Sequence, residues 1–300
     1  MKIFIVKVLL FFALIAVVDI LCGYTFGYIV HHAKGGFTHR DTYICDSLDS
    51  DILLMGSSRC VRHYNPQIIE DSLGLSCYNS GQDGNGIILN YGRIKMINER
   101  SKPKMVIYDV NPHFDLYEGF DDHRDLIWLK QHYDRDGIAD VFIRIDETEH
   151  YKMMSQMYRY NSRIIELMVD FFHPIANARS DGFSPFVGEM DRSKIRRTRY
   201  KSKTRKPIID PIKLEYMIKF IDEQKECRLF FVVSPIWYGM DTLQLQPVKE
   251  MCRERGIPFI DFSNNPKYVH HDEYFKNGNH MNARGADEFT RDLVANLKGS

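Results

Sequence analysis

The chain has 300 residues, 44% of them hydrophobic, which is enough apolar material for one α/β domain with an insertion. Its 40 basic residues balance its 40 acidic residues, and this balance disfavours a nucleic-acid-binding protein with a positive field over its whole surface. The six cysteines are scattered and lack the spacing of a metal site. We therefore predict no catalytic metal and no cofactor.

The N-terminal segment is apolar and long enough to cross a membrane. Most residues between Ile3 and Tyr28 are apolar, and a bilayer span needs about 20 such residues. Lys2 and Lys7 favour a cytoplasmic N-terminus. A cleaved signal peptide and a buried core helix are the alternatives, but a clear small-x-small cleavage site is missing. An uncleaved signal anchor is the preferred interpretation.

This interpretation divides the chain into three segments. They are a transmembrane signal anchor over 1–30, a linker over 31–46 and a domain over 47–300 that lies outside the cytoplasm. Disulfides are permitted in that compartment. Because Cys60 and Cys77 fall close to predicted strands, we expect both of them to be buried as small hydrophobic residues.

The domain alternates short apolar runs with amphipathic stretches. Strands are predicted at about residues 52–55, 75–78, 105–110, 228–233 and 258–261. Helices are predicted at about residues 66–73, 86–98, 212–224, 243–255 and 283–297. This alternation predicts an α/β fold with a mostly parallel sheet that is covered on both faces. Ligands of such sheets bind at the carboxyl ends of the strands.

A candidate nucleophile follows the first strand. The apolar run from Ile52 to Met55 stops at glycine and two hydroxyl residues, Gly56, Ser57 and Ser58. This pattern predicts a buried strand that ends in a tight turn. Ser58 would then lie at the carboxyl end of a strand, where ligands bind in this fold class.

A candidate base lies near the C-terminus. His280 precedes the last amphipathic helix and follows Asn277-Gly278-Asn279. A serine hydroxyl is a poor nucleophile until a base accepts its proton. If the fold brings Ser58 and His280 together, the two residues can act as nucleophile and base.

The segment over 113–211 interrupts the alternation and is predicted as a mainly helical insertion, with a helix at about 161–172. Insertions after strand ends lie over active sites and commonly select the substrate. Its basic run over 192–206 is typical of a solvated loop. Anionic lipid headgroups or an acidic polymer are the alternative partners of this run, and nucleic acid is not expected outside the cytoplasm.

Together these motifs resemble the SGNH or GDSL-like hydrolases, in particular their membrane-anchored branch that acts on acyl groups of cell-envelope polymers. The resemblance covers roughly residues 51–111 and 228–297. It implies a three-layer α/β/α fold with a flavodoxin-like, five-stranded sheet. It also implies that Ser58 is the nucleophile, that His280 is the base and that Asn277 stands where the family has its acidic orienting residue.

The resemblance further implies an oxyanion hole, for which the sequence offers alternatives. Backbone donors are expected at Ser58 and at Gly84, with Gly81 as the alternative glycine. A side-chain donor is expected from Asn111, with His113 as the alternative at the strict family spacing. Asn277 is a departure, because an amide can orient a histidine but cannot offset its positive charge.

The preferred hypothesis is an envelope-facing serine esterase or O-acetyltransferase that acts on acyl esters of a surface polysaccharide through an acyl-Ser58 intermediate. Its partners would be an acylated glycan or small ester, the membrane and a multi-span membrane acyltransferase. The alternative hypothesis is a catalytically silent glycan-binding or accessory protein of a polysaccharide-modification system, and the amide at Asn277 favours it. A structural membrane-associated protein is a third hypothesis.

Overall fold

The structure is a computed structural model that describes residues 1–175, 179–192 and 207–299. Apart from Arg192, the predicted basic run lies outside these ranges. Within them the strands are β1 (Ile52–Gly56), β2 (Cys77–Asn79), β3 (Met105–Asp109), β4 (Arg228–Val233) and β5 (Phe259–Asp261). The helices of the same ranges are α1 (Lys2–His32), α2 (Gly36–Asp46), α3 (Ser58–His63), α4 (Pro66–Leu73), α5 (Ile87–Asn98), α6 (Pro112–Asp115), α7 (His123–Leu129), α8 (Ile138–Ile145), α9 (Glu149–Lys152), α10 (Gln156–Tyr160), α11 (Ile164–Phe172), α12 (Pro211–Asp222), α13 (Gln246–Arg255) and α14 (Ala283–Gly299).

The chain forms two compact units. The helical unit comprises Met1–Ser47 and Asp122–Asn177, and the sheet unit comprises Leu48–Asp121 and Ala178–Ser300. The five strands all belong to the sheet unit, and α1 belongs to the helical unit.

The sheet is parallel throughout, with the strand order β2-β1-β3-β4-β5. This is the flavodoxin-like order, and it confirms the predicted fold class. The strand order changes direction between β1 and β3, where doubly wound sheets bind their ligands. In the register of these two strands Gly56 pairs with Asp109, so the loops that follow both strands leave the sheet side by side.

Both faces of the sheet are buried, which explains why its central strands are continuous apolar runs. On one face Ile52 and Leu54 belong to a core that includes Phe289 of α14. On the other face the ring of Tyr108 lies 5.0 Å from that of Phe220 of α12. The helices of both layers thereby fix the strand ends at which the candidate site residues lie.

The predicted turn after β1 is present, and it leads directly into the helix α3, which was not predicted. Gly56 makes the turn with a φ of +140°, and a Cβ there would lie 2.8 Å from the carbonyl oxygen of Asp109. Ser58 is then the first residue of α3. A six-residue helix is too short to show a helical period, and it is held by its contacts with the sheet and α14.

The helical unit contains the apolar N-terminal helix. α1 is long and apolar enough to span a membrane, as was predicted from the sequence. Residues 36–46, which were predicted as part of a linker, form α2. This helix begins at Gly36, which has a φ of +70°, and the Asp170 carboxylate accepts a hydrogen bond from the Thr38 N–H at 2.9 Å. Because Asp170 is distant in sequence, the residues around Gly36 contain no capping motif that would predict the start of this helix. The helix predicted at 161–172 is α11, and α10 precedes it.

Candidate active site

Ser58 and His280 lie within hydrogen-bond distance of each other, although 222 positions separate them in the sequence. The Ser58 Oγ atom is 2.8 Å from the His280 Nε2 atom. Ser58 is presented by the turn at Gly56, and His280 by the loop that precedes α14. The two sequence motifs therefore meet at the carboxyl end of β1, in a geometry suited to proton transfer from hydroxyl to imidazole.

Asn277 fixes the tautomer of His280. Its Oδ1 atom lies 3.0 Å from the backbone N–H groups of Asn279 and His280, and 3.1 Å from the His280 Nδ1 atom. Backbone N–H groups only donate, so the amide atom that faces them must be the oxygen. An oxygen acceptor requires a proton on Nδ1, and the neutral ring then has a free lone pair on Nε2. Ser58 therefore donates its hydroxyl hydrogen to Nε2, as base catalysis requires.

The environment of His280 favours the neutral ring. Burial lowers its pKa to about 4, with Arg62 and Arg59 acting in the same direction and Asp83 opposing them. The imidazole is consequently unprotonated at neutral pH and able to accept a proton.

Arg62 and Phe186 form one wall of the site. The Phe186 ring lies edge-on to the His280 ring, with 5.6 Å between their centroids. The Arg62 guanidinium stacks over the Phe186 ring, with its Cζ atom 4.5 Å from the centroid of that ring. It also pairs with Asp83 at 2.5 Å and donates to the Ser184 carbonyl at 2.6 Å. These contacts hold a segment of the predicted insertion against the base.

Two backbone N–H groups, those of Ser58 and Gly84, remain candidates for the predicted oxyanion hole. Ser58 begins α3, so its N–H has no acceptor within the helix. Gly84 adopts a φ of +72° next to Asp83, the partner of Arg62, and its N–H meets no acceptor within the described ranges. The Gly81 N–H instead faces the Asn79 side chain at 3.2 Å. This difference favours Gly84 over Gly81.

Of the two predicted side-chain donors, Asn111 contacts the residue that precedes Ser58. Asn111 follows β3, and its Nδ2 atom lies 3.4 Å from the Ser57 hydroxyl, adjacent to Ser58. His113 lies beside the ring of Phe120, at 6.3 Å between centroids. Burial lowers the pKa of His113, and Arg59 and Lys213 add to the effect. The Asn111 amide thus contacts Ser57, the residue that precedes the candidate nucleophile Ser58.

Sequence reasoning missed His63, the last residue of α3. His63 is fully buried, and its Nε2 atom accepts a hydrogen bond from the Met281 N–H at 3.0 Å. Its Nδ1 atom, which must carry the proton, lies 3.0 Å from the Ser234 hydroxyl. Burial keeps the pKa of His63 well below its usual value. The helix that begins with Ser58 therefore ends with a residue that holds the loop of His280.

A buried polar network lies beneath α3. The Asp109 carboxylate accepts hydrogen bonds from the Tyr64 hydroxyl at 2.7 Å and from the Ser234 N–H at 2.9 Å. Arg59 pairs with the same carboxylate at 3.5 Å. The network connects α3 to the ends of β3 and β4, and so fixes the direction in which Ser58 is presented.

Side chains of the kinds that ligate metals lie close together at two places in the helical unit. Asp41, Cys45 and His132 form one such buried group, while His123, Asp146 and Glu149 form a second, more exposed one. Burial alone would lower the pKa of His132, but Cys45 and Asp41 outweigh it and raise the pKa to about 10. The His132 Nε2 atom lies 3.7 Å from the Asp41 carboxylate, so the two side chains form a buried ion pair when the imidazole is protonated.

The six cysteines are free thiols, and Cys60 and Cys77 are buried as predicted. Burial raises the pKa of the Cys77 thiol, with Glu70 and Asp181 contributing. The thiol is therefore protonated and packs as a small hydrophobic side chain.

No protein-family model matches the chain, and no curated protein matches it. Among the solved structures that it resembles is one from Streptococcus pneumonia, provisionally described as a platelet activating factor. The two chains are 9% identical, with a TM-score of 0.42, over 90% of this chain and 94% of the other.

Proposed function

We propose that the protein is a serine esterase or O-acyltransferase in which Ser58 is the nucleophile and His280 is the base. The observation that carries the proposal is the continuous contact from the Ser58 hydroxyl to His280 and on to Asn277, at 2.8 Å and 3.1 Å. The location of Ser58 after β1, beside the point where the strand order changes direction, supports it further.

The reaction would proceed through an acyl-enzyme. Ser58 Oγ attacks the ester carbonyl carbon while its proton passes to His280 Nε2, and the carbonyl oxygen becomes an oxyanion. The N–H groups of Ser58 and Gly84, with the amide of Asn111, would stabilise that charge. The oxyanion then collapses, and the alkoxy group leaves with the proton from His280. Water or an acceptor hydroxyl next attacks the acyl-Ser58 carbonyl and gives its proton to His280. The bond from the carbonyl carbon to Ser58 Oγ then breaks, Oγ takes the proton back from His280, and the acid or the new ester is released.

For the substrate, we propose an acyl ester of a cell-surface polysaccharide, handled on the outer side of the cytoplasmic membrane. Two observations support this choice, namely the motif resemblance to envelope-acting hydrolases and the apolar helix α1. Lys2 and Lys7 at the start of that helix favour a cytoplasmic N-terminus. A multi-span membrane acyltransferase is the proposed partner if the acyl group is transferred to a sugar hydroxyl.

A catalytically silent accessory protein is the second candidate, and Asn277 is the observation that favours it. Its amide selects the correct tautomer of His280 but gives no charge to stabilise an imidazolium. Cys-His-Asn enzymes function with an amide in this place, and therefore the esterase remains our first proposal.

The direct test is labelling of the purified full chain with a fluorophosphonate, followed by assay with a short-chain aryl ester. Ser58→Ala should abolish both labelling and turnover. Ser57→Ala is the matched control, since its hydroxyl neighbours Asn111 and not His280, and this variant should still be labelled. Equal labelling of wild type and Ser58→Ala would refute the proposed nucleophile. A folded wild type that is neither labelled nor active would favour the accessory protein.

A further inference from the structure

The two halves of α1 have different surroundings within the helical unit. The apolar 18-residue window that qualifies the helix as a membrane span has no buried residue. From Asp19 onwards a stripe at helical spacing packs against α10 and α11. The members of this stripe include Asp19, Cys22, Gly23, Phe26, Gly27, Ile29 and Val30.

Asp19 lies at the boundary between the two halves of α1, and its carboxylate binds the start of α10. The Ser155 hydroxyl donates to it at 2.7 Å, and the N–H groups of Gln156 and Met157 donate at 2.8 and 2.9 Å. A carboxylate on an apolar helix thus satisfies the first N–H groups of α10. These contacts place the beginning of α10 at the level of Asp19 along α1.

Two glycines allow α10 to approach closely. Gly23 and Gly27 form a GxxxG pattern, which in membrane helices marks a site of tight helix packing. A Cβ at Gly23 would lie 2.7 Å from the Cβ of Gln156, and one at Gly27 would lie 3.6 Å from the hydroxyl of Tyr160. The pattern is therefore covered by α10 of the same chain. Because Gln156 lies against Gly23 and Tyr160 lies against Gly27, α10 runs in the same direction as α1.

The length of α1 sets the depth of Asp19 in a bilayer. A hydrocarbon core of about 30 Å requires about 20 residues at 1.5 Å each. If the core begins at Ile3, it ends near Cys22, and Asp19 lies about one turn inside it. A carboxylate at that depth is costly unless it is paired. The N–H groups of Gln156 and Met157 fulfil this requirement only if the start of α10 reaches the same depth.

We infer that the segment before α10, from Tyr151 to Ser155, contacts the leaflet on the side away from Lys2 and Lys7. Two of its apolar side chains are unusually exposed, with Tyr151 at 72% and Met154 at 73%. Met154 immediately precedes Ser155, which is bound to Asp19, so it lies at the depth of the hydrocarbon boundary. Tyrosine and methionine suit this depth, because one carries a polar tip and the other is flexible and apolar.

The partner of this surface is a phospholipid bilayer, because the surface adjoins Asp19, where the exposed apolar half of α1 ends. The inference goes beyond the proposed catalytic function and depends on α1 as an uncleaved anchor. It implies that the protein contacts the membrane with a second element and that its helical unit is held at the lipid surface.

The test is a depth measurement by spin labelling of the full chain in vesicles of phosphatidylcholine and phosphatidylglycerol. Cys22→Ala and Cys227→Ala remove the two partly exposed thiols, and the other four cysteines are buried. Single labels are then introduced as Met154→Cys and Tyr151→Cys. Leu14→Cys, from the exposed half of α1, is the immersed reference, and Leu243→Cys, which is 76% exposed in the sheet unit, is the aqueous reference.

Collisions with oxygen and with a water-soluble nickel chelate report the depth of each label. We expect the labels at 151 and 154 to be several-fold less accessible to the nickel chelate than the label at 243, with oxygen accessibility nearer to that at 14. Nickel accessibility equal to that at 243 in both variants would overturn the inference. Loss of the residues of α1 from the purified chain, detected as intact mass, would also overturn it. Fluorophosphonate labelling of Ser58 in the same vesicles reports separately on the proposed function.

Discussion

Replacing Asn277 with aspartate tests whether His280 is the titrating base. In the wild-type chain burial lowers the pKa of His280 to about 4. The new carboxylate can keep the three acceptor contacts of the amide oxygen, at 3.0 to 3.1 Å, and it adds a negative charge beside Nδ1. An opposite charge at this distance raises a pKa by about 1–3 units, so we expect a value of about 5–7 for His280. Because Asn277 is exposed to solvent, screening favours the lower part of that range.

The rate at alkaline pH should increase, because the carboxylate stabilises the imidazolium that forms as Ser58 attacks. An aspartate-to-asparagine change in a serine protease lowers kcat about 10⁴-fold because the histidine takes the wrong tautomer. Here the backbone N–H groups of Asn279 and His280 already select the correct tautomer, so the charge alone is missing. One pKa unit corresponds to about 1.4 kcal/mol, which limits the gain to about tenfold for each unit by which the pKa rises.

The assay is kcat/KM for a short-chain aryl ester between pH 4 and pH 9, with circular dichroism to verify folding. Only neutral His280 accepts a proton, so activity falls below its pKa. The acid limb of the profile should therefore move to higher pH in Asn277→Asp. Asn279→Asp is the matched control, because its side chain faces the Tyr238 hydroxyl at 2.5 Å and not the His280 ring. An acid limb that stays in place in a folded Asn277→Asp variant, or that moves equally in the control, would refute this assignment.

Three further substitutions test the parts of the site separately. His63→Phe leaves the buried Met281 N–H without its acceptor and should lower the free energy of unfolding by about 1–3 kcal/mol. In this variant kcat should also fall. His63→Gln retains an acceptor, so it should recover part of the stability in denaturation measurements and part of kcat in rate measurements. Asn111→Ala should lower kcat about 10²–10³-fold if this amide binds the oxyanion, and a larger loss in His113→Ala would reverse the order of the two candidates. Gly56→Ala should destabilise the chain by about 1 kcal/mol or more in thermal or chemical unfolding, because alanine is strained at a φ of +140°; unchanged stability would contradict the close approach to Asp109.

The sheet was predictable because its strands are buried on both faces. Residues 52–55 and 105–108 are apolar without alternation, which is typical of strands in parallel sheets. The helices α4 and α14 carried clear amphipathic or boundary signals, such as Pro66 at the start of α4. These elements depend on local sequence and on burial, and both properties are visible in one sequence.

The short elements were not predictable in the same way. α3 has six residues, which is too few for a periodic pattern, and α2 lies in a segment whose composition resembles a linker. Short helices are marginal on their own and depend on tertiary contacts. For α2 such a contact is the Asp170 carboxylate, which lies 132 positions from Thr38 in the sequence. For α3 it is the polar network around Asp109.

The same distinction separates the two kinds of residue in the candidate site. Ser58 follows a predicted strand and His280 precedes a predicted helix, so local sequence patterns are enough to identify both as candidates. His63 acts on a backbone N–H, that of Met281, at a separation of 218 positions. Every residue other than proline carries such a group, so the sequence gives no sign of which one a buried histidine will bind. Positioning contacts of this kind become visible only when the fold shows which loop lies against α3.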